Sequence, residues 1–117
     1  MGANLDTRVK ETLKNLVANN FDAKFAENRD AVKKIVLGSI SQDTSVGIGD
    51  SATVRQIGIV EEIEKKRIKV LNPFSKELTT DRAKTALRDN ISRQIFSCDV
   101  LVVGTNAVTL DGKLVNV

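Results

Sequence analysis

The feature that most constrains this chain is a strand-like segment joined to a helix-like segment by small residues, within residues 44–66. Four residues, Ser45–Ile48, predict a short buried strand. Either Asp50 or Ser51 can cap the helix that follows, because its side-chain oxygen can accept a hydrogen bond from a free amide of the first turn. Gly58 lets that helix lie close to a neighbour. The apolar residues of the predicted helix recur at every third position: Val54, Ile57, Val60 and Ile63.

Two glycines, Gly47 and Gly49, lie at the end of the predicted strand and permit backbone conformations that other residues rarely adopt, including positive φ. A strand that enters a helix through small residues leaves unpaired N–H groups and the positive end of the helix dipole at one place, which favours an anion. A plain connection between a strand and a helix has the same pattern. The segment matches neither G-x-G-x-x-G nor a P-loop lysine motif, so both interpretations remain open.

Two segments before this stretch have the spacing of amphipathic helices. Residues 5–18 place Leu and Val side chains on one face, with Asn4 as the predicted cap. Asn19-Asn20 is predicted to end this helix, because Asn tolerates the left-handed conformation of a C-cap. A second helix is predicted to begin at Asn28 or Asp30.

A third such helix is predicted from Thr80 or Asp81 to about Ser97, after a loop over residues 74–79. Its outward face is predicted to be basic, through Arg82, Lys84, Arg88 and Arg93. A basic face of this kind suits either solvent or a partner protein.

Three further segments have the composition of strands. Phe21–Ala26 alternates apolar and polar residues. Ile68–Leu71 is apolar and ends at Asn72-Pro73, where proline cannot donate a ladder hydrogen bond. Val100–Val103 is a run of four apolar residues, which predicts burial on both faces, as in a parallel sheet.

The order of these elements predicts the fold class. Strands alternate with helices, and residues 107–117 have the pattern of a hairpin with an Asp111-Gly112 turn. We therefore predict an α/β fold, a three-layer sandwich with a mostly parallel sheet, helices on both faces and a C-terminal β-hairpin. The 117 residues suffice for one domain, residues 1–117.

The residue types that are missing limit the chemistry. The sequence has no histidine and one cysteine, Cys98, so it cannot form a Ser-His-Asp triad, a Cys/His zinc site, a four-cysteine iron–sulfur cluster or an internal disulfide. Cys98 is either a small core residue or a reactive thiol. The net charge is only +3 and neither Tyr nor Trp is present, which argues against nucleic acid as a partner. No segment predicts a signal peptide or a membrane span, and we expect a cytoplasmic protein.

Two stretches together resemble the LUD domain family. The first is S-V-G-I-G-D-S-A-T-V-R-Q-I-G-I, residues 45–59, which is similar to the family's glycine turn and helix. The second is D-V-L-V-V-G-T-N-A-V-T-L-D-G-K-L-V-N-V, residues 99–117, and it is the more specific of the two. The chain has Asp50 where the family commonly has a second glycine. Family members usually continue beyond Val117, so we expect the chain to be the N-terminal part of a longer domain, or to cover its exposed sheet in a homo-oligomer.

The resemblance implies a Rossmann-like fold of the NagB/RpiA/CoA-transferase-like group. It also implies a role like that of the LutC-type subunit, which acts with iron–sulfur partner proteins in the oxidation of L-lactate to pyruvate. The iron–sulfur clusters are expected only in the partner proteins, so this chain is expected to bind no cofactor and no metal itself.

The predicted site takes an anionic or polar small molecule at the ends of two strands. Its ligand-binding residues are Gly47, Gly49, Asp50, Ser51 and Thr53 at the first bend, with Gly104, Thr105 and Asn106 at the second. Its rim is predicted to include Asp111, Lys113 and Asn116.

Two other functions remain open from the sequence. One is a stand-alone enzyme of the isomerase, transferase or cyclo-ligase kind, for which Asp50 or Asp111 would be the base. The other is a non-catalytic interaction module that uses the basic helix near residues 81–97.

Overall fold

The computed structural model describes residues 5–117. These residues fall into two compact units: the larger comprises Val32–Gly104, and the smaller combines the chain up to Ala31 with Thr105–Val117. Asn4, the predicted cap of the first helix, lies outside the described residues. None of the helices in residues 5–117 has the length and apolar composition that a membrane span requires.

The secondary structure is mixed. The helices are α1 (Thr7–Ala18), α2 (Arg29–Gly38), α3 (Ala52–Ile57), α4 (Ile59–Lys65), α5 (Lys76–Thr80) and α6 (Thr85–Gln94), and 3₁₀ turns at Arg82–Lys84 and Ile95–Ser97 flank α6. The strands are β1 (Ser45–Ile48), β2 (Lys69–Leu71), β3 (Val100–Val102), β4 (Ala107–Val108) and β5 (Leu114–Val115).

The larger unit is built on a three-stranded parallel sheet with the order β2-β1-β3. Val46 of the central strand is opposite both Val70 and Val100, and it is fully buried. The predicted parallel sheet is therefore confirmed. The prediction that the strand Val100–Val103 is buried on both faces was wrong: β3 is an edge strand of the sheet, and Leu101 remains 51% exposed.

The two faces of β1 meet different neighbours, since successive side chains of a strand point in opposite directions. Val46 and Ile48 belong to the main apolar core, to which α2, α3 and α4 contribute residues including Val36, Leu37, Val54, Ile59 and Ile63. On the other face, a Cβ atom at Gly47 would lie 2.9 Å from the Cys98 sulfur and 3.2 Å from Cδ1 of Leu101. Close packing requires this glycine.

Gly47 and Gly49 do not use the positive φ that glycine permits. Among the described glycines, positive φ occurs at Gly58 (76°) and Gly112 (85°). The predicted single helix after the strand was wrong, because Gly58 takes the left-handed conformation and divides it into α3 and α4. The three-residue apolar repeat continues across this break, since Val54, Val60 and Ile63 are all buried.

Asp99 and Ser45 connect the starts of β3 and β1. The backbone amide and the hydroxyl of Ser45 both donate to Asp99 Oδ2, at 2.8 and 3.1 Å. The amide of Asp99 in turn donates to the carbonyl and the hydroxyl of Ser45, both at 3.1 Å. The hydrogen bonds that Ser45 donates to the carboxylate, first from its backbone amide and then from its hydroxyl, lower the pKa of Asp99. The four hydrogen bonds together fix the register at this edge.

Two segments differ from their predictions. Phe21–Ala26 is not a strand, because no strand among residues 5–117 pairs with it. Phe21 and Phe25 are 42% and 45% exposed. The predicted loop at 74–79 largely forms α5. Two predicted caps are confirmed, since Asn28 accepts from the Ala31 amide at 2.9 Å and Asp81 accepts from the Ala83 amide at 3.0 Å.

The predicted continuous helix to about Ser97 is interrupted. Asp81 caps the first 3₁₀ turn, α6 follows it, and a second 3₁₀ turn ends at Ser97. The basic outward face is also not uniform, because Arg88 is half-buried and bonded to the chain after β2.

The smaller unit contains α1 and the hairpin of β4 and β5. Asp6 caps α1 in place of the predicted residue, and Asn20 ends it at φ 71°. The amides of Asn20 and Phe21 donate to the carbonyls of Val17 and Leu16, which is the hydrogen-bond pattern of a Schellman motif. The predicted end of this helix is therefore confirmed.

The predicted hairpin is confirmed too. The antiparallel pairing sets Val108 opposite Leu114, and Gly112 supplies the positive φ of the turn. Asn15 of α1 and Asn19, the C-cap of α1, donate side-chain hydrogen bonds to the carbonyls of Leu110 and Gly112, respectively, both at 2.8 Å. These bonds tie the hairpin turn to α1.

Candidate functional site

The carboxyl ends of β1 and β3 lie at the same edge of the sheet, since the two strands are parallel neighbours. The amide of Gly49 donates to the Val102 carbonyl at 2.9 Å, which extends the pairing one residue past β1. A Cβ atom at Gly104 would lie 2.5 Å from Ser51 Oγ, and one at Gly49 would lie 2.3 Å from Cγ1 of Val103. The two bends therefore pack directly against each other, and the space beside Gly49 holds a valine side chain.

Ser51 and Asp50 have different roles at the start of α3. Ser51 is the N-cap, and its Oγ accepts from the Val54 amide at 3.2 Å. Asp50 does not cap the helix. Its Oδ1 forms an ion pair with Nη1 of Arg55 at 2.9 Å, and both side chains are more than half exposed. The Asp50 carboxylate, which precedes α3, thus pairs with a residue in the last turn of that helix.

A cleft of about 400 Å³ opens on the β2 side of these bends. We call it the basic cleft, and define it by the six residues that line it: Asp50, Arg55, Phe74, Lys76, Thr79 and Arg88. Three of these side chains are cationic and one is a carboxylate, so the cleft has a formal excess of two positive charges. In open parallel sheets, ligands bind outside the carboxyl ends of the strands, and the basic cleft lies there.

The chain after β2 supplies half of this cleft. Asn72-Pro73 takes the chain out of the sheet, and the Asn72 side chain accepts from the Phe74 amide at 3.0 Å, which makes an Asx-turn. Pro73 is fully buried and anchors the turn. The short helix α5 begins two residues after Phe74, and its Lys76 and Thr79 face the cleft.

Contacts with α6 hold this turn and α5 in place. Arg88 is half-buried and donates from Nε to the Pro73 carbonyl at 3.2 Å, so its guanidinium is fixed beside the turn. Lys84 donates to Glu77 of α5, and this hydrogen bond raises the pKa of Lys84. The ammonium of Lys76 has no ion pair or hydrogen bond with another residue of 5–117. Lys76 and Arg88 therefore keep positive charge that no described carboxylate neutralises.

The predicted site residues are divided by the structure. Asp50 lines the basic cleft, while Gly49, Ser51 and Gly104 form the packed bends next to it. Gly47 is buried within β1, and Thr53 is exposed on α3.

The remaining predicted residues belong to the smaller unit. Thr105 donates to the Val115 carbonyl at 3.1 Å, and Asn106 Oδ1 accepts from the Val117 amide at 3.0 Å. Asp111 accepts from Thr109 and pairs with Lys113 at 3.3 Å, and the hydrogen bond from Thr109 lowers its pKa. A lowered pKa makes Asp111 a weaker base. Asn116 is exposed after β5.

Of the six residues that line the basic cleft, the sequence predicted only Asp50 as a site residue. Lys76 and Thr79 were assigned to a loop, and Arg88 to an outward basic face. A usable signal was present: Lys76 and Thr79 lie shortly after the carboxyl end of β2, and polar residues at a strand's carboxyl end are candidates for ligand contacts.

Two other hollows among the described residues are larger but chemically different. One of about 460 Å³ in the smaller unit is lined mainly by apolar side chains such as Leu13, Leu16 and Leu110. One of about 520 Å³ runs beside β2 and includes Glu64 and Glu77 but no cation. The basic cleft is therefore the better candidate for an anion. No three Asp, Glu or Cys side chains of residues 5–117 are grouped as a metal site.

Of the comparisons with known proteins, only the one with family models gives a match. Searches of curated proteins and of solved structures return no match to this chain. The model of one family, the LUD domain, matches residues 9–117, which is nearly the whole sequence and includes parts of both compact units. The chain therefore belongs to the LUD domain family.

Proposed function

We propose that this chain is a LUD-type subunit that binds a small anionic ligand in the basic cleft. The observation that carries the proposal is the convergence of Arg55, Lys76 and Arg88 at the carboxyl edge of the parallel sheet, around a cleft of about 400 Å³. Arg55 comes from the helix after β1, Lys76 from the helix after β2, and Arg88 from α6. Cations from three separate elements lining one concave surface favour an anion there.

The family suggests the setting in which such a ligand would be used. Membership of the LUD domain family suggests a role related to lactate utilisation. We propose a role similar to that of the LutC-type subunit, which acts with iron–sulfur partner proteins in the oxidation of L-lactate to pyruvate in the cytoplasm. Electron transfer would then belong to the partners, and this chain would contribute ligand binding.

We further propose that residues 1–117 form one LUD-type domain, and that the parallel sheet of the larger unit is the central layer of a Rossmann-like, three-layer sandwich. The family match includes parts of both units, which supports a single domain. The central strand contacts apolar groups on both faces, the α2–α4 core on one side and Ile95 with Leu101 on the other, which supports layers on both sides of the sheet.

Calorimetric titration with sulfate at low ionic strength tests the binding proposal. The wild type is expected to bind sulfate. Lys76→Gln and Arg88→Gln are each expected to weaken binding about 15-fold, because one unit charge roughly 5 Å from a dianion in water changes affinity about fourfold for each ligand charge. Lys69→Gln is the matched control, because Lys69 is exposed at the opposite end of β2. Thermal melts would verify that each variant is folded. No binding by the wild type, or equal loss in the Lys69 control, would contradict the proposal.

A separate assay tests the role in lactate oxidation. L-lactate-dependent reduction of an electron acceptor by iron–sulfur partner proteins is expected to require this chain. It is also expected to fall with Lys76→Gln but not with Lys69→Gln. Reduction that proceeds at the same rate without the chain would refute this role while leaving anion binding intact.

A further inference from the structure

Asp50 places a negative charge inside a cleft that is otherwise lined by cations. Its Oδ1 lies 2.9 Å from Nη1 of Arg55, and both residues line the basic cleft. We infer that the two cations left uncompensated in the cleft fit it to a doubly charged anion, and that Asp50 is an internal competitor for the ligand that limits the preference for doubly over singly charged anions. This inference rests on the proposed anion-binding function of the cleft.

The carboxylate of Asp50 is not needed to start the helix. Ser51 caps α3 through its hydroxyl, and the Asp50 side chain bonds only to Arg55 among the described residues. The pair is largely exposed, at 67% for the Asp50 side chain and 55% for that of Arg55. Exposed ion pairs contribute little to folding stability. The pair therefore has little structural value, and its location in the cleft gives it a direct effect on any ligand.

The charges in the cleft indicate which ligand class fits. Asp50 neutralises Arg55, while Lys76 has no charged partner in residues 5–117 and Arg88 bonds to a neutral carbonyl. Two uncompensated cations remain, and a dianion such as a phosphate monoester or a dicarboxylate matches them. A monocarboxylate would leave one cation unmatched, so it would bind more weakly.

The same charges predict how removal of Asp50 changes binding. Asn at position 50 keeps the size of the side chain, removes its repulsion of the ligand, and leaves Arg55 available. Unit charges roughly 5 Å apart in water change affinity about fourfold for each ligand charge. We therefore expect Asp50→Asn to raise the affinity for a monoanion about fourfold and for a dianion about 15-fold.

The control is Asp43→Asn, which removes the same charge from an exposed residue ahead of β1, at the amino edge of the sheet. The four residues of β1 alone span about 10 to 13 Å. At that distance in water a unit charge changes affinity about twofold or less for each ligand charge, so Asp43→Asn is expected to have a much smaller effect than Asp50→Asn.

The experiment is calorimetric titration of wild type, Asp50→Asn and Asp43→Asn at low ionic strength. The probes are methyl phosphate and sulfate as tetrahedral dianions, succinate as a dicarboxylate, and lactate as a monoanion. The dianions are expected to bind wild type more tightly than lactate does. Their affinity is also expected to rise more than that of lactate in Asp50→Asn. A preference among the dianions would distinguish phosphate-bearing from dicarboxylate ligands.

Three outcomes would overturn the inference, and they can be told apart. If dianions bind wild type and respond to Lys76→Gln but not to Asp50→Asn, the cleft binds anions and Asp50 is not a competitor. If Asp50→Asn raises lactate and dianion affinity by the same factor, Asp50 does not limit the preference for doubly charged anions. If no probe binds either protein, the proposed function fails and the inference fails with it.

Discussion

Replacement of Gly49 by alanine tests whether the bends after β1 and β3 touch as the structure describes. A Cβ atom at this position would lie 2.3 Å from Cγ1 of Val103, 3.2 Å from its Cβ and 3.6 Å from the Val102 carbonyl oxygen. Carbon atoms in favourable contact are about 3.5–4.0 Å apart, so Val103 would have to move by more than 1 Å. Val103 is branched at Cβ, which restricts its rotation.

The expected loss of stability follows from this overlap. Insertion of a methyl group into a packed site typically costs about 1–3 kcal/mol, and we expect about 2 kcal/mol for Gly49→Ala. Val103 is 55% exposed, so Val103→Ala alone is expected to change stability by about 0.5 kcal/mol or less. In the double variant the 2.3 Å contact is removed and the 3.2 Å contact to Cβ remains, so more than half of the loss should be recovered.

Urea denaturation of the wild type, the two single variants and the double variant measures this coupling. The predicted coupling energy is about 1 kcal/mol or more, because the two residues are in direct contact. Additive effects in the double variant, or no destabilisation by Gly49→Ala, would refute the packing of the two bends.

Three other substitutions test separate parts of the fold. Gly58→Ala forces a left-handed residue between α3 and α4 to carry a Cβ atom at φ 76°, and should lower the free energy of unfolding by about 1–2 kcal/mol; an unchanged urea midpoint would contradict the break. Ser51→Ala removes the hydroxyl that caps α3 and should cost about 1 kcal/mol, with Ser51→Asn nearly neutral as the control. Since the pKa of Asp99 is lowered in the folded state, its contribution to stability is present above its unfolded pKa and is lost as the pH falls through the folded one. Asp99→Asn should therefore flatten the pH dependence of the melting temperature below about pH 4, and an unaltered acid slope would count against that role.

Local sequence signals predicted the elements that local chemistry controls. The strand Ser45–Ile48 has the predicted bounds, and the Asn19-Asn20 helix end and the Asp111-Gly112 turn are confirmed. Each depends on residues a few positions apart: an apolar run bounded by small residues, an Asn that tolerates positive φ, or a glycine in a tight turn.

The predictions that were wrong depend on distant contacts. Phe21–Ala26 alternates like a strand, but a strand needs a neighbour to pair with, and the sequence does not specify one. Gly58 divides a helix whose apolar repeat is uninterrupted, so periodicity alone could not reveal the break. The requirement for glycine at positions 47 and 49 also comes from distant side chains, of Cys98 and Val103, and not from backbone conformation.

The same distinction applies to the candidate site. The carboxyl edge of the sheet was predictable from the strand order, and Asp50 was identified there from the first motif. Lys76 and Arg88 are 12 residues apart and converge only because α6 packs on the turn after β2, through the hydrogen bond from Arg88 to the Pro73 carbonyl. Convergence of that kind depends on tertiary packing, which the spacing of residues in a sequence does not show.

The most direct test of the central claim is amide chemical-shift mapping by NMR during titration of the wild type with sulfate. We predict saturable shifts at residues 49–55 and 74–79 and around Arg88, the segments that line the basic cleft. The same titration of Lys76→Gln should show weaker binding at the same amides. Shifts that do not saturate, or that concentrate away from these three segments, would contradict anion binding at the carboxyl edge of the sheet.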